Sequence, residues 1–138
     1  MANKQKNQKK YNFKLIDLEI KQIFPDIDEW PESWAGFKDD IPVGKVILEK
    51  FKLFLYEQKN RISRKTLKDY GNYLWDLGGE IIRDTNEKEI KIKDLDDNFL
   101  LNYVDDSGGP YWRHANNEQD HDRYDSICRR FYKYLIKK

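Results

Sequence analysis

The sequence predicts an all-α protein with four main helices and an N-terminal extension. Apolar residues recur at helical spacing in several segments, and no two segments alternate between apolar and polar residues as paired strands do. The 138 residues suffice for one domain, and four Trp, nine Tyr and seven Phe are too many large apolar groups for a disordered chain. A single cysteine excludes an intramolecular disulfide and any zinc site built from a cysteine cluster.

The sequence divides into a basic arm, an N-terminal extension and a helical bundle. Residues 1–10 are polar and basic, which predicts a disordered arm. Residues 11–42 form the N-terminal extension, in which a short helix ends at Pro25. The extension continues from Pro25 as an irregular segment with three Pro and two Trp, whose aromatic rings are expected to pack on the bundle. The bundle itself is assigned to residues 43–138.

Two long helices are predicted at the start of the bundle. Pro42 suits a first helical turn, and the apolar residues after it predict a helix of about four turns. A second helix follows Ser63 or Thr66, either of which could cap it. Its apolar repeat is the clearest in the chain and comprises Leu67, Tyr70, Leu74, Leu77 and Ile81. Three glycines lie within this repeat and predict close approach of a neighbouring element: Gly71, Gly78 and Gly79.

The second half of the chain is predicted to hold two further helices. Residues 84–93 form a polar connection in which Ile90 and Ile92 leave a short strand possible. Residues 94–104 are predicted as a short helix, since acidic side chains favour a helix N-terminus. Residues 111–119 are predicted as a loop. The last helix begins near Asp120, with Asp120 and Asp122 as its caps.

Few residues in the sequence have the spacing of a catalytic or metal-binding site. His114, Glu118, His121 and Asp122 have spacings that could place metal ligands on one helical face, but a solvated loop explains this polar segment equally well. Cys128 lies on the apolar side of the last helix, which predicts a buried, inert thiol. No nucleotide-binding loop or hydrolase motif is present, so we expect no cofactor.

Basic residues cluster in two places although the net charge is only +1. The segment 59–68 has five bases and no acid around a predicted helix N-terminus, where free N–H groups and hydroxyls suit a phosphate. A solvated basic turn is the alternative. Its candidate residues are Lys59, Arg61, Ser63, Arg64, Lys65, Thr66 and Lys68. The polar side of the last helix adds Arg129, Arg130 and Lys133.

Three motifs carry a family resemblance. They are Phe51–Leu55 (FKLFL), the spacing S-x-x-T-L-x-x-Y that starts at Ser63, and Phe131–Leu135 (FYKYL). Together they resemble the N-terminal core-binding domain of tyrosine recombinases, the phage-integrase family, over residues 43–136. The resemblance implies a SAM-like, orthogonal four-helix bundle that clamps duplex DNA, with both basic sets facing the phosphates.

The same resemblance implies no catalysis. The family's catalytic residues lie on a separate domain, and neither His114 nor His121 begins its His-x-x-Arg motif. The chain is therefore expected to be either a fragment of a recombinase or a stand-alone relative, in a subgroup of small integrase-like proteins, that lacks the nuclease.

Two functions follow as hypotheses. The first is a non-catalytic module that binds double-stranded DNA with little or no sequence specificity, because contacts to the backbone carry no sequence information. The second is a protein–protein interaction or self-association module, in which Trp30, Trp34 and Phe37 form an exposed anchor. Alternatively, these rings cover the bundle.

The sequence has no secretory signal and no apolar run that could span a membrane, so the expected location is cytoplasmic.

Overall fold

The computed structural model describes residues 12–112 and 114–137 of the chain. These residues form five α-helices, which we number α1 (Phe13–Ile23), α2 (Trp30–Trp34), α3 (Asp40–Gln58), α4 (Arg64–Glu87) and α5 (Glu118–Lys137). Three 3₁₀ turns span Ile27–Glu29, Ile92–Asp94 and Phe99–Asn102. The described ranges contain one isolated bridge, between Asp105 and Gly108, and no strand. The all-α prediction is therefore confirmed, while the basic arm predicted for residues 1–10 lies outside the described residues.

The centre of the molecule is an antiparallel pair of helices, α3 and α4, crossed by α5. The Asn86 amide near the end of α4 donates to the Asp40 carboxylate at the start of α3, at 2.9 and 3.0 Å, which fixes the antiparallel order. Phe131 from α5 meets the α3 rings Phe51 and Phe54 edge-on at centroid distances of 5.2 and 5.3 Å. All five members of the apolar repeat predicted in α4 are buried, so its predicted register is confirmed.

The N-terminal segments belong to the same hydrophobic core. In α1 the buried residues are Ile16 and Ile20, and the helix ends immediately before Phe24 and Pro25, as predicted. The segment that follows is not wholly irregular, because a 3₁₀ turn leads directly into α2. Pro31 lies in the first turn of α2, where its missing N–H costs no hydrogen bond. The predicted packing of this segment is confirmed for Trp34, which is 9% exposed.

Two glycines of α4 allow this packing. A methyl group at Gly71 would overlap the Phe24 ring, and one at Gly78 would overlap the Trp34 indole. The predicted close approach is confirmed at both positions. At Gly79 the nearest atom of Trp34 would lie 3.7 Å away, an ordinary contact, so the prediction is wrong there.

Several predicted boundaries were wrong. Helix α4 continues through the supposed polar connection to Glu87, because Thr85 is buried and Asn86 bonds to α3. Residues 94–104 form 3₁₀ turns instead of an α-helix, since the Asp96 carboxylate accepts the backbone N–H of Asn98 and closes a local turn. Ile92 begins another 3₁₀ turn, so the possible strand at Ile90–Ile92 does not form.

The cap of α5 also differs from the prediction. The helix begins at Glu118, and the side chain of Asn117 accepts the backbone N–H of Asp120 at 2.8 Å. Asn117 is therefore the capping residue. Asp120 instead accepts the Tyr73 hydroxyl of α4 at 2.8 Å, and Asp122 is exposed.

Paired charges join the N-terminal segments to α3. Lys52 is 6% exposed, and its ammonium group binds the carboxylates of Asp17 and Asp28. Lys21 also contacts Asp28, at 2.6 Å. Burial alone would raise the pKa of Asp28, but hydrogen bonds from Lys21 and Lys52 outweigh that effect and lower it. These ion pairs hold α1 and the following turn against α3.

Within the described residues, no helix has the length and apolar character needed to cross a membrane.

Candidate functional site

The junction between α3 and α4 is capped by its own side chains. Ser63 has an extended backbone, and its hydroxyl oxygen accepts the backbone N–H of Thr66 at 3.1 Å. The Ser63 hydroxyl also donates to the Thr66 hydroxyl at 3.0 Å. This geometry confirms Ser63 as the N-cap of α4.

The bases at this junction divide into two groups. Lys59 forms an ion pair with Glu19 of α1 at 3.1 Å, and the Arg64 guanidinium donates to the backbone carbonyl of Gln22 at 3.1 Å. Helix α1 therefore engages two of the candidate cations. The remaining three, Arg61, Lys65 and Lys68, are exposed and have no ion pair within the described residues. Of the five bases at this junction, these three have no contact with α1 among the hydrogen bonds and ion pairs of the described residues.

The second basic set lies on α5 and faces two directions. The Arg130 guanidinium lies 5.9 Å from the centre of the Tyr70 ring of α4. Lys133 is exposed one turn further along the helix. Arg129 points about 100° away from Arg130 around the helix axis and is half-buried, next to Cys128. The two arginines predicted together therefore do not act on the same surface.

A groove between α4 and α5 is lined by one residue from each predicted set. It encloses about 360 Å³, and its lining comprises Thr66, Asp69, Tyr70, Tyr73, Arg123, Ser126, Ile127 and Arg130. We call this surface the basic groove. Thr66 comes from the first predicted set and Arg130 from the second. Guanidinium and hydroxyl donors at one groove match the acceptor oxygens of a phosphate.

Arg123 and Ser126 of the basic groove were missed by the sequence analysis. Arg123 precedes Arg130 by seven residues, which is two helical turns, so this spacing could have placed both on one face. Beside them, burial and the Asp120 carboxylate raise the pKa of Tyr73, while Arg123 acts in the opposite direction. The Tyr73 hydroxyl therefore stays protonated and donates to Asp120.

The residues considered as metal ligands serve other purposes. Nδ1 of His121 lies 3.1 Å from the Asp125 carboxylate, and Nε2 accepts the Trp112 backbone N–H at 3.4 Å. Among the described residues, no three His, Cys, Asp or Glu side chains converge as a metal site requires. Cys128 is 1% exposed, and burial raises the pKa of its thiol, which confirms the prediction of a buried group.

The three aromatic residues predicted as an exposed anchor do not share one surface. Trp34 is buried and donates its indole N–H to the Trp75 carbonyl at 2.9 Å, and Trp30 is half-buried. Phe37 is 67% exposed. It lies instead at a second cavity, of about 430 Å³, with Trp75, which is 42% exposed. We call this the aromatic cavity.

Four aromatic rings and several charged groups line the aromatic cavity. The aromatic residues are Trp34, Phe37, Trp75 and Trp112. The charged or titratable residues are Asp40, Asp76, Glu80, Arg83, Glu87 and His114. Among the described residues, four carboxylates thus face one guanidinium. Sequence spacing could not reveal this site, because its rings come from distant parts of the chain.

The carboxylates of the aromatic cavity differ in their partners. Asp40 accepts the backbone N–H groups of Gly36 and Phe37; with the Asn86 amide, these bonds outweigh burial and lower its pKa. Glu80 pairs with Arg83 at 3.0 Å. Asp76 has no hydrogen bond or ion pair within residues 12–112 and 114–137. Burial, helped by the nearby charges of Asp120 and Glu80, raises the pKa of Asp76 to about 6.

Comparison of the chain with protein-family models, curated proteins and solved structures gave no match. The functional proposals below therefore depend on the geometry of the chain's own residues.

Proposed function

We propose that this chain is a non-catalytic DNA-binding module that resembles the core-binding domain of tyrosine recombinases. The observation that carries the proposal is the basic groove, where the N-terminal half of α4 meets the Arg123 and Arg130 face of α5. The bases that line the groove are Arg123 and Arg130 of α5, whereas Lys65 and Lys68 neighbour its lining residues Thr66 and Asp69 in sequence. The proposed partner is the phosphate backbone of a DNA duplex.

The distribution of unpaired charge supports this proposal. Arg61, Lys65 and Lys68 project near the start of α4 without acidic partners among the described residues. Some acidic residues elsewhere are paired, as Asp17 and Asp28 are with Lys52. A chain with a net charge of +1 can in this way present a locally positive surface, which is what attraction to a polyanion requires.

The chemistry of the donors favours the backbone over the bases. Lys and Arg side chains at exposed positions neutralise phosphates, and hydroxyls such as that of Ser126 add neutral donors. The proposed binding is therefore weakly specific for sequence and strongly dependent on salt. The logarithm of the affinity should fall by about 0.9 for each phosphate contact per logarithmic unit of salt.

The test is a titration of a fluorescent random-sequence duplex with the protein at low and at moderate salt. The key variant combines Arg61→Ala, Lys65→Ala and Lys68→Ala. It should lose most of the affinity and reduce the salt slope by about 0.9 for each lost contact, with little change in folding stability.

The matched control removes three equally exposed bases from the opposite end of the α3–α4 pair: Lys38→Ala, Lys45→Ala and Lys93→Ala. Lys45 precedes Lys59 by fourteen residues of chain, which corresponds to about 20 Å along a helix. The control should bind nearly as well as the unmodified protein. Absence of binding at low salt by the folded protein, or equal losses in both triple variants, would contradict the proposal.

The exposed rings of Phe37 and Trp75 favour a second candidate, a protein–protein interaction module of the same helical fold. Sedimentation of the purified protein over a range of concentrations tests its self-associating form. A concentration-dependent mass that Phe37→Ala abolishes, together with no affinity for DNA, would support this candidate over the first.

A further inference from the structure

The aromatic cavity has the composition of a binding site for a cation. Its walls include the exposed faces of Phe37 and Trp75 together with the more buried rings of Trp34 and Trp112. Aromatic faces attract cations through the ring quadrupole. A volume of about 430 Å³ accommodates a small organic molecule or a long side chain.

Among the described residues, the charge at the cavity is negative and only partly compensated. Glu80 is paired with Arg83, and Asp40 is used by backbone N–H groups. Asp76 faces no cation within the described residues, although half-burial makes its ionised form costly. A carboxylate in this environment is stabilised when a positive ligand binds beside it.

The carboxylate of Asp76, which has no partner within the described residues, distinguishes this site from a merely apolar depression in the surface.

We propose that the aromatic cavity binds an organic cation, namely an ammonium or guanidinium group carried on an alkyl stem. The charged head would lie near Asp76 and the ring faces of Phe37 and Trp75. Both a free alkylamine and the side chain of a lysine or arginine in a partner protein have this chemistry. An anion is disfavoured by the excess of carboxylates, and a neutral ligand would leave Asp76 uncompensated.

This inference is independent of the proposed DNA binding. No residue lines both the basic groove and the aromatic cavity. The basic groove uses the N-terminal half of α4, whereas the cavity uses its C-terminal half. Loss of one activity by substitution should therefore leave the other unchanged.

The first experiment follows tryptophan fluorescence during titration with choline and, separately, with its uncharged isostere in which carbon replaces the nitrogen. Butylguanidinium serves as a second cation and butyrate as an anion. Both cations should change the fluorescence saturably, while the neutral and anionic compounds should bind at least about tenfold more weakly. Equal binding of choline and its neutral isostere, or no saturable response to either cation, would overturn the proposal.

Two variants test the assigned residues. Asp76→Asn keeps the shape of the side chain and removes its charge, so affinity for the cations should fall roughly tenfold. Phe37→Ala removes an exposed ring without disturbing the core and should reduce affinity about threefold. Glu49→Gln, at an exposed position on α3 outside the cavity, is the matched control and should bind normally. Unchanged affinity in both Asp76→Asn and Phe37→Ala would overturn the assignment.

The two sources of the cation are distinguished by comparing butylamine with short peptides that contain a central lysine, arginine or norleucine. Tighter binding of the lysine or arginine peptide than of butylamine would indicate a protein partner. Preference for the free amine would indicate a small metabolite. Binding of the norleucine peptide as tight as that of the lysine peptide would show that charge is irrelevant and would overturn the proposal.

Discussion

Helix α4 has two flanks that are built differently. Toward α1 and α2, the rings of Phe24 and Trp34 lie directly against glycines, and the adjoining cations have partners, as Arg64 has in the Gln22 carbonyl. Toward α5 the helix borders the basic groove, and between α2 and residues 112–114 it borders the aromatic cavity, where Asp76 has no partner among the described residues. The face under Phe24 and Trp34 is closed by packing, whereas the groove and the cavity are open.

This difference separates residues that hold the fold from residues that are available to a ligand. Removing one partner of a charge that is paired inside the structure destabilises the fold, and a paired charge is not free to bind other molecules. A charge without a partner contributes little to stability, or opposes it, and therefore points to a function. Three substitutions test this distinction, the first two on the closed side and the third on the open side.

Gly78→Ala should have the largest effect on folding. The new methyl group would overlap the Trp34 indole, which is fixed by its bond to the Trp75 carbonyl and by its contact with Phe51. We expect a loss of about 3 kcal/mol in the free energy of unfolding, measured in urea. Gly79→Ala is the control, because its methyl group would meet only an ordinary contact at 3.7 Å and alanine favours the helix. Equal losses at both positions would indicate that the closed packing is not what stabilises this flank.

Lys52→Met should have the next largest effect. Methionine fills a similar volume but leaves Asp17 and Asp28 without their buried cation. We expect a loss of about 2 kcal/mol, less than for a fully buried pair, because both carboxylates are partly exposed and Lys21 remains as a partner. Lys52 and Lys21 lower the pKa of Asp28, so the difference from the unmodified protein should shrink as the pH falls and Asp28 is protonated. Lys45→Met, at an exposed position of the same helix, should leave stability nearly unchanged.

Asp76→Asn should produce the smallest change, and a change of opposite sign. The pKa of Asp76 is raised to about 6 in the folded protein, so the folded state binds a proton more tightly than the unfolded chain does. The wild-type protein should therefore lose stability as the pH rises from about 4 to about 6. Near neutral pH the variant should be more stable by about 1 kcal/mol, after allowance for solvent screening, and this advantage should vanish near pH 4. A variant less stable than wild type near neutral pH would mean that Asp76 has an internal partner. Asp122→Asn, at an exposed position of α5, is the control and should leave stability nearly unchanged.

The sequence was sufficient to predict those features that depend on local periodicity. The register of α4, the cap at Ser63 and the close approach at Gly71 and Gly78 all follow from spacings within about one helix length. The burial of Lys52 had a similar signal that was missed, since it lies four residues after Leu48 and three before Leu55, both of them buried. Its carboxylate partners come from another segment and could not be identified by spacing.

Features that join distant segments could not be predicted. The aromatic cavity combines Trp34, Trp75 and Trp112, and nothing in their separation along the chain indicates that they meet. The division of the basic residues also depends on α1, whose contacts engage Lys59 and Arg64. DNA binding and the likeness to a recombinase domain remain predictions that the proposed experiments test.

The slot that holds the Trp34 indole links positions that are far apart in the chain. Gly44 and Gly78 form two of its walls, and Phe51 meets the indole edge-on. A smaller ring at position 34 would leave a void, whereas even a methyl group at position 78 would overlap the indole. Homologous sequences are therefore expected to vary at positions 34 and 78 in a correlated way, with alanine at position 78 accompanying a smaller side chain in place of the tryptophan.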